Sequence, residues 1–264
     1  MRLTNVAADA RPQVRTLLIA AALTIALWFI PFAEVLTYPF RLFVTFIHEG
    51  GHVLAALLTF SHVQSLSVSM DGSGLVYASP SSWVSLLLFS SAGYVGAAAF
   101  GALLLILIRR AVAARWVLMG SAAFIFILTV VFGLLKPTWN GSELSKVPFT
   151  VIAGAAISLA LVAVARYASA RVATFFVSFL AVQCILNALL DLKTVFFLST
   201  PLAHNIHTDA KNMSDATYIP QMFWVIAWIG LSVLILSVAL RAYSNNCKRK
   251  ENQQDLPFEE PLGV

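Results

Sequence analysis

The sequence predicts an all-α polytopic membrane protein with six to seven transmembrane helices and one small β-hairpin at the membrane edge. Three observations predict it. Of 264 residues, 59% are hydrophobic and only 11% are charged, against about 25% charged in soluble domains. With a mean hydropathy of +0.85, a water-soluble chain of this length could not hide its apolar surface in one core. Apolar runs of about 20 residues, the length that crosses a bilayer, recur near 16–36, 39–60, 82–108, 115–135, 148–168, 172–199 and 220–243.

The first run is long and lacks a small-residue cleavage site, so it reads as a retained segment rather than a signal peptide. Pro31 and Glu34 interrupt it, which leaves six or seven crossings. Between the second and third runs, residues 61–81 alternate polar and apolar around "DGSG", the pattern of a β-hairpin with a glycine turn. A polar loop follows at 200–219. Residues 1–243 form one membrane domain, and the polar residues 244–264 read as a disordered tail.

The net charge of +5 does not imply nucleic acid as a partner. Its basic residues fall in short clusters between apolar runs, as topology determinants do. Their bias, with Arg241 and "KRK" at 248–250 beside the last run, places the C-terminal tail in the cytoplasm. The two cysteines, Cys184 in an apolar run and Cys247 in the basic tail, suggest neither a disulfide framework nor a metal site.

The second run carries "FIHEGGHVLAAL". Residues i and i+4 share a helix face, so His48 and His52 can hold one ion through two imidazoles, with Glu49 near enough to act as general base. Zinc is the usual occupant of such a pair. The alternative is two packing histidines and a glutamate paired elsewhere. Ionisable groups inside a span cost roughly 2.5–3.5 kcal/mol each, which favours the site.

A third protein ligand is needed, and Asp191 in "CILNALLDLKTVFF" is the other deeply placed carboxylate. Both His52 and Asp191 fall about 12 Å from the same end of runs that share a direction. Lys193, two residues on, does not face Asp191 on a helix. Asn187, one turn earlier, reads either as a hydrogen-bond donor at the site or as a plain interhelical contact. Asp209 in the polar loop reads as a carboxylate behind the ligands, as a substitute ligand, or as the cap of a short loop helix. His204 and His207 read as solvated loop residues. "NGS" at 140–142 and "NMS" at 212–214 are patterns too short to carry weight. Gly93, Gly96 and Gly101 on the third run read as close helix packing rather than catalysis.

This constellation resembles the site-2 protease superfamily of intramembrane zinc metalloproteases, most closely its compact branch of the membrane core alone. The resemblance rests on "FIHEGGHVLAAL", "DGSGLVY", "SAGYVGAAAFGALL", "NALLDL" and "TDAKNMSDATYIPQMFWVIAW". It implies a zinc-dependent endopeptidase that cleaves within or near transmembrane helices of membrane-protein substrates. One zinc per chain would sit on His48, His52 and Asp191, with Glu49 activating water. The family also presents a membrane-edge strand to an unwound substrate. Residues 63–78 would fill that role, Gly72 and Gly74 letting a second backbone come close. The rival reading is a non-catalytic pseudoprotease or chaperone that binds client helices.

Overall fold

The computed structural model describes residues 18–24, 26, 30, 33–109, 113–136, 144–199 and 208–254. His204, His207 and the pattern at 140–142 lie outside the described residues, as do 16, 17, 25, 27–29, 31 and 32 of the first run. From Ala33 on, the described residues form seven helices and one hairpin, in order: α1 Ala33–Leu58, β1 His62–Val68, β2 Gly74–Ser79, α2 Trp83–Arg109, α3 Ala114–Leu128, α4 Val147–Tyr167, α5 Ala170–Leu198, α6 Asp209–Thr217 and α7 Gln221–Gln254. The last turns of α3 widen into a π-helix over Thr129–Leu134.

Among the described residues, five helical stretches are long and apolar enough to cross a membrane: Trp83–Ile108, Ala114–Leu134, Val147–Tyr167, Ala170–Leu198 and Gln221–Arg241. They make this an integral membrane protein. The run at 39–60 forms α1, which is not among the five. The ionisable residues of its own motif, with Arg41 nearby, dilute its apolarity. The last apolar stretch ends at Arg241, within α7, which runs on to Gln254. The polar loop also holds a helix, α6. Thr208 caps it, its hydroxyl accepting from the Lys211 N–H, which satisfies an otherwise orphaned donor.

Two apolar clusters fix the frame. The larger joins α1, the hairpin, α2, α3, α4 and α5 around Phe43, Phe46, Leu66, Leu118, Ile125 and Leu180. The smaller gathers Tyr94, Leu192, Val195, Ala210, Met213, Val225 and Trp228. It packs α6 against α2, α5 and α7, because Ala210 and Met213, three residues apart, put one apolar stripe on an otherwise polar helix.

The hairpin is antiparallel, with Leu66 opposite Val76, Val68 opposite Gly74, and an irregularity between Val63 and Ser65. Asp71 shapes its tip by accepting from the Ser73 N–H at 2.9 Å and the Ser73 hydroxyl at 2.7 Å. These hydrogen bonds hold the Asp71 carboxyl below its usual range. Gly72 has φ +82°, a left-handed conformation that suits glycine. The tip is tied to one face of α1. The Tyr38 hydroxyl donates to the Met70 carbonyl at 2.5 Å, Arg41 donates to the Asp71 carbonyl, and the Thr45 hydroxyl donates to the Gly72 carbonyl at 2.8 Å. From the opposite side, the Val68 N–H donates to the Thr150 hydroxyl of α4 at 2.8 Å, and Lys136 reaches the Val63 carbonyl at 3.4 Å. With β1 held against α3 and α4, β2 forms the outer strand of the two.

Candidate metal centre

Four elements bring the polar groups together. α1 supplies His48, Glu49 and His52 over one turn. The imidazoles stand with Nε2 atoms 3.1 Å apart and rings nearly perpendicular. His52 is buried, and its Nδ1–H donates to the Phe89 carbonyl of α2 at 2.7 Å. Since a carbonyl only accepts, the ring proton lies on Nδ1 and the Nε2 lone pair is free to bind a metal, the usual support for a ligating histidine.

The third group comes from α6. Asp209 Oδ2 lies 3.5 Å from His48 Nε2 and 3.4 Å from His52 Nε2. His48, His52 and Asp209 form the group of potential metal ligands among the described residues. Asp209 is the first residue of α6, where the positive helix terminus favours a carboxylate. Burial raises its carboxyl pKa, but the facing His52 and His48 more than offset that and hold it well below the usual carboxylate range.

The donor set fits zinc. Ligand atoms 2.0–2.2 Å from a tetrahedral ion stand about 3.3–3.5 Å apart, and the separations here run from 3.1 to 3.5 Å. Two imidazoles and one carboxylate are also ligands zinc takes, leaving one position of four open. Glu49 is 4% exposed and lies within electrostatic reach of His48, His52 and Asp209.

Asp191 does not occupy the place expected for it. The structure puts Asp209 against both imidazoles, and Asp191 stands exposed on α5 outside that group. Depth along the helix is not the whole of position. α5 turns Ala188, Leu192 and Val195 into the core, and Asp191, three residues after the first and four before the last, lies at the margin of that inward face. Asp191 stays within electrostatic reach of His48 and Arg41. Asn187 donates to the Gln183 carbonyl and side-chain oxygen of its own helix, at 2.9 and 3.1 Å.

The glycines divide by what they approach. At Gly96 the Cα of Gly51 is 3.4 Å from where a Cβ would stand, and at Gly101 the Ala181 carbonyl is 3.0 Å away, so both allow helices to pack closely. Gly93, expected to do the same, lies instead against the two imidazoles, where a Cβ would stand 2.5 Å from His52 Nε2. Gly74, at the head of β2, abuts the Glu49 carboxyl, with Glu49 Cγ 2.6 Å from a would-be Cβ. Gly72 faces the Arg41 guanidinium.

Sequence reasoning gave Gly93 a different neighbour, and missed the Phe89 carbonyl and Tyr94, whose ring lies 4.6 Å from that of His48. A glycine followed by an aromatic in an apolar run carries no signal of its own, and a backbone acceptor carries none at all. The model of the family described as Peptidase M50B-like matches residues 17–239, which takes in every element of the site. No curated protein and no solved structure matches the chain.

Proposed function

Because the chain belongs to the Peptidase M50B-like family, within the site-2 protease superfamily, we propose that it is a zinc-dependent intramembrane endopeptidase. One zinc per chain would be held by His48, His52 and Asp209. Its substrate would be a transmembrane helix of another membrane protein, met within the bilayer, with no part for nucleic acid. The observation that carries this reading is the triangle of two imidazole nitrogens and one carboxylate oxygen beside a buried glutamate that is not part of it.

Zinc at a three-ligand site supplies a Lewis acid that acidifies water and polarises a carbonyl. The rest of the chemistry belongs to the chain. Glu49 takes a proton from water as its oxygen attacks the scissile carbonyl carbon. It then returns a proton to the amide nitrogen as the C–N bond breaks. Phe89, through its carbonyl, keeps His52 in the tautomer that can ligate. Asp209 brings the negative charge that two neutral imidazoles lack.

A substrate helix must be locally unwound first, since its carbonyls are hydrogen-bonded within the helix. β2 is the element suited to hold the unwound segment, by adding it as a strand. Gly74 at its head lets that strand start against the Glu49 carboxyl. The basic residues that follow the last span favour a cytoplasmic C-terminal tail.

The test is Glu49→Gln in purified protein with a model transmembrane substrate. The amide keeps the size of the side chain but cannot take the proton. Hydrolysis should fall by a factor of about 10² to 10⁴ with zinc content unchanged. Equal cleavage by wild type and variant would end the general-base reading. A wild type that binds zinc and the substrate helix without cutting it would be a client-binding protein instead.

A further inference from the structure

Tyr94 is the residue of the site that the mechanism leaves without a task. It follows Gly93 on α2 and is 7% exposed. Its ring meets that of His48 nearly at right angles, 4.6 Å between centroids, and stacks on Trp228 of α7 at 5.4 Å. Trp228 is itself fixed, its indole N–H donating to the Ser91 hydroxyl at 3.0 Å. The phenol is thus held between the metal centre and α7.

Its hydroxyl makes no hydrogen bond to any described residue. Nor is it one of the sealed side-chain oxygens without a partner among the described residues, which are those of Ser90, Ser158, Ser199 and Ser232, so it is open to a group entering the site. The carboxylates of Asp209, Asp191 and Glu49 all lie within its electrostatic reach, so the hydroxyl belongs to the polar side of the cluster. A phenol is protonated near neutral pH, so what it has to offer there is a hydrogen bond.

Resting on the endopeptidase reading above, we infer that Tyr94 is a catalytic hydrogen-bond donor: its hydroxyl meets the oxygen of the scissile carbonyl as negative charge builds on it. No proton need leave the phenol. Water adds to the carbonyl carbon, the carbonyl π pair moves onto the oxygen, and the O–H of Tyr94 stabilises that charge until the pair returns and expels the amine. A donor fixed beforehand, with its ring clamped on two sides, pays no reorganisation when the charge appears.

Tyr94→Phe keeps the ring and its contacts with His48 and Trp228 while removing only the donor. Three readouts on purified, zinc-loaded protein test it: zinc content, kcat and KM on a transmembrane substrate, and affinity for two peptide probes. One probe is a phosphinate, whose tetrahedral anionic oxygens mimic the developing charge. The other is a thiol peptide of the same sequence, which has no such oxygen. The inference expects zinc content, KM and thiol affinity unchanged, phosphinate affinity lower by at least tenfold, and kcat lower by about 10² to 10³, as for loss of one oxyanion donor.

Phosphinate affinity and kcat within twofold of wild type would overturn it. So would loss of zinc, which would make Tyr94 a support for His48, or a wild type that does not bind the phosphinate. If the wild type binds the phosphinate through Tyr94 but cuts nothing, the endopeptidase reading fails and the donor at this position stands.

Discussion

Gly93→Ala adds one methyl group, and the structure gives its consequence in ångströms. The new Cβ would stand 2.5 Å from His52 Nε2 and closer still to the His48 ring. Ordinary contact begins near 3.4 Å, so the His52 nitrogen would have to retreat by about 0.9 Å, several times the roughly 0.2 Å that a metal–ligand distance tolerates. It has little freedom to do so. His52 Nδ1 is bound to the Phe89 carbonyl at 2.7 Å, on the same helix as the intruding methyl. One turn of helix carries both imidazoles, and Gly51 already packs its backbone onto Ala92, so α1 cannot slide as a body. The expected outcome is a loss of zinc affinity of at least the 10- to 100-fold seen when a ligand's support is removed. An overpacking cost of about 1–3 kcal/mol in stability should accompany it. Metal analysis of the purified protein, followed by zinc competition against a chelator, measures the first effect, and thermal unfolding measures the second. Gly120→Ala is the control: the same methyl on α3 meets nothing within 4 Å, so zinc affinity should be unchanged and stability equal or raised by up to about 1 kcal/mol. Wild-type zinc affinity in Gly93→Ala would refute the reasoning, because the two nitrogens could then not converge on an ion beside α2.

Three further outcomes are expected. Asp209→Ala should remove most bound zinc while Asp191→Ala retains it, and the reverse in metal analysis would return the third ligand to α5. Proline at Leu75, in the outer strand, removes a backbone donor and should lower cleavage of a transmembrane substrate with zinc content intact. Loss of zinc there would make β2 part of the frame of the site. A reporter fused after Val264 should report a cytoplasmic C-terminus, and activity of a periplasm-type reporter at that position would reverse the orientation.

What the sequence made legible follows from which physical signals are periodic. His48 and His52 were readable because i and i+4 share a helix face whatever packs around it. The hairpin was readable because alternation around "DGSG" is local, and the strands His62–Val68 and Gly74–Ser79 fall where it lies. The third ligand was not. Matching Asp191 to His52 by depth brought it to the level of the site, where it lies within electrostatic reach of His48, but depth could not show that a second carboxylate from another segment stands against the imidazoles. Asp209 sits in a segment whose polar composition says nothing about depth. The two residues that carry α6 into the protein, Ala210 and Met213, are apolar positions among polar neighbours. Gly93 had a legible identity and an illegible neighbour, since a glycine that admits a helix and one that admits an imidazole look alike in a sequence.

The placement of Asp209 also says what the metal would do for the fold. α6 has nine residues, too few to be stable alone in water. Its supports are the Thr208 cap, the pair of Lys211 with Asp215 on its exposed face, the bond from the Trp224 indole to the Thr217 hydroxyl at 3.1 Å, and the burial of Ala210 and Met213. Exposed pairs of the Lys211–Asp215 kind contribute little. An ion held by Asp209 together with His48 and His52 would cross-link the first residue of α6 to the middle of α1, closing a loop of more than 150 residues between them. Ligands fixed on two helices that do not follow each other in the chain make metal binding a term in the folding free energy. The free energy of zinc binding would therefore be drawn partly on ordering α6. A substitution that undocks α6, such as Met213→Ala, should weaken zinc without touching a ligand, whereas an equal cavity cut on the far side of the larger cluster should not.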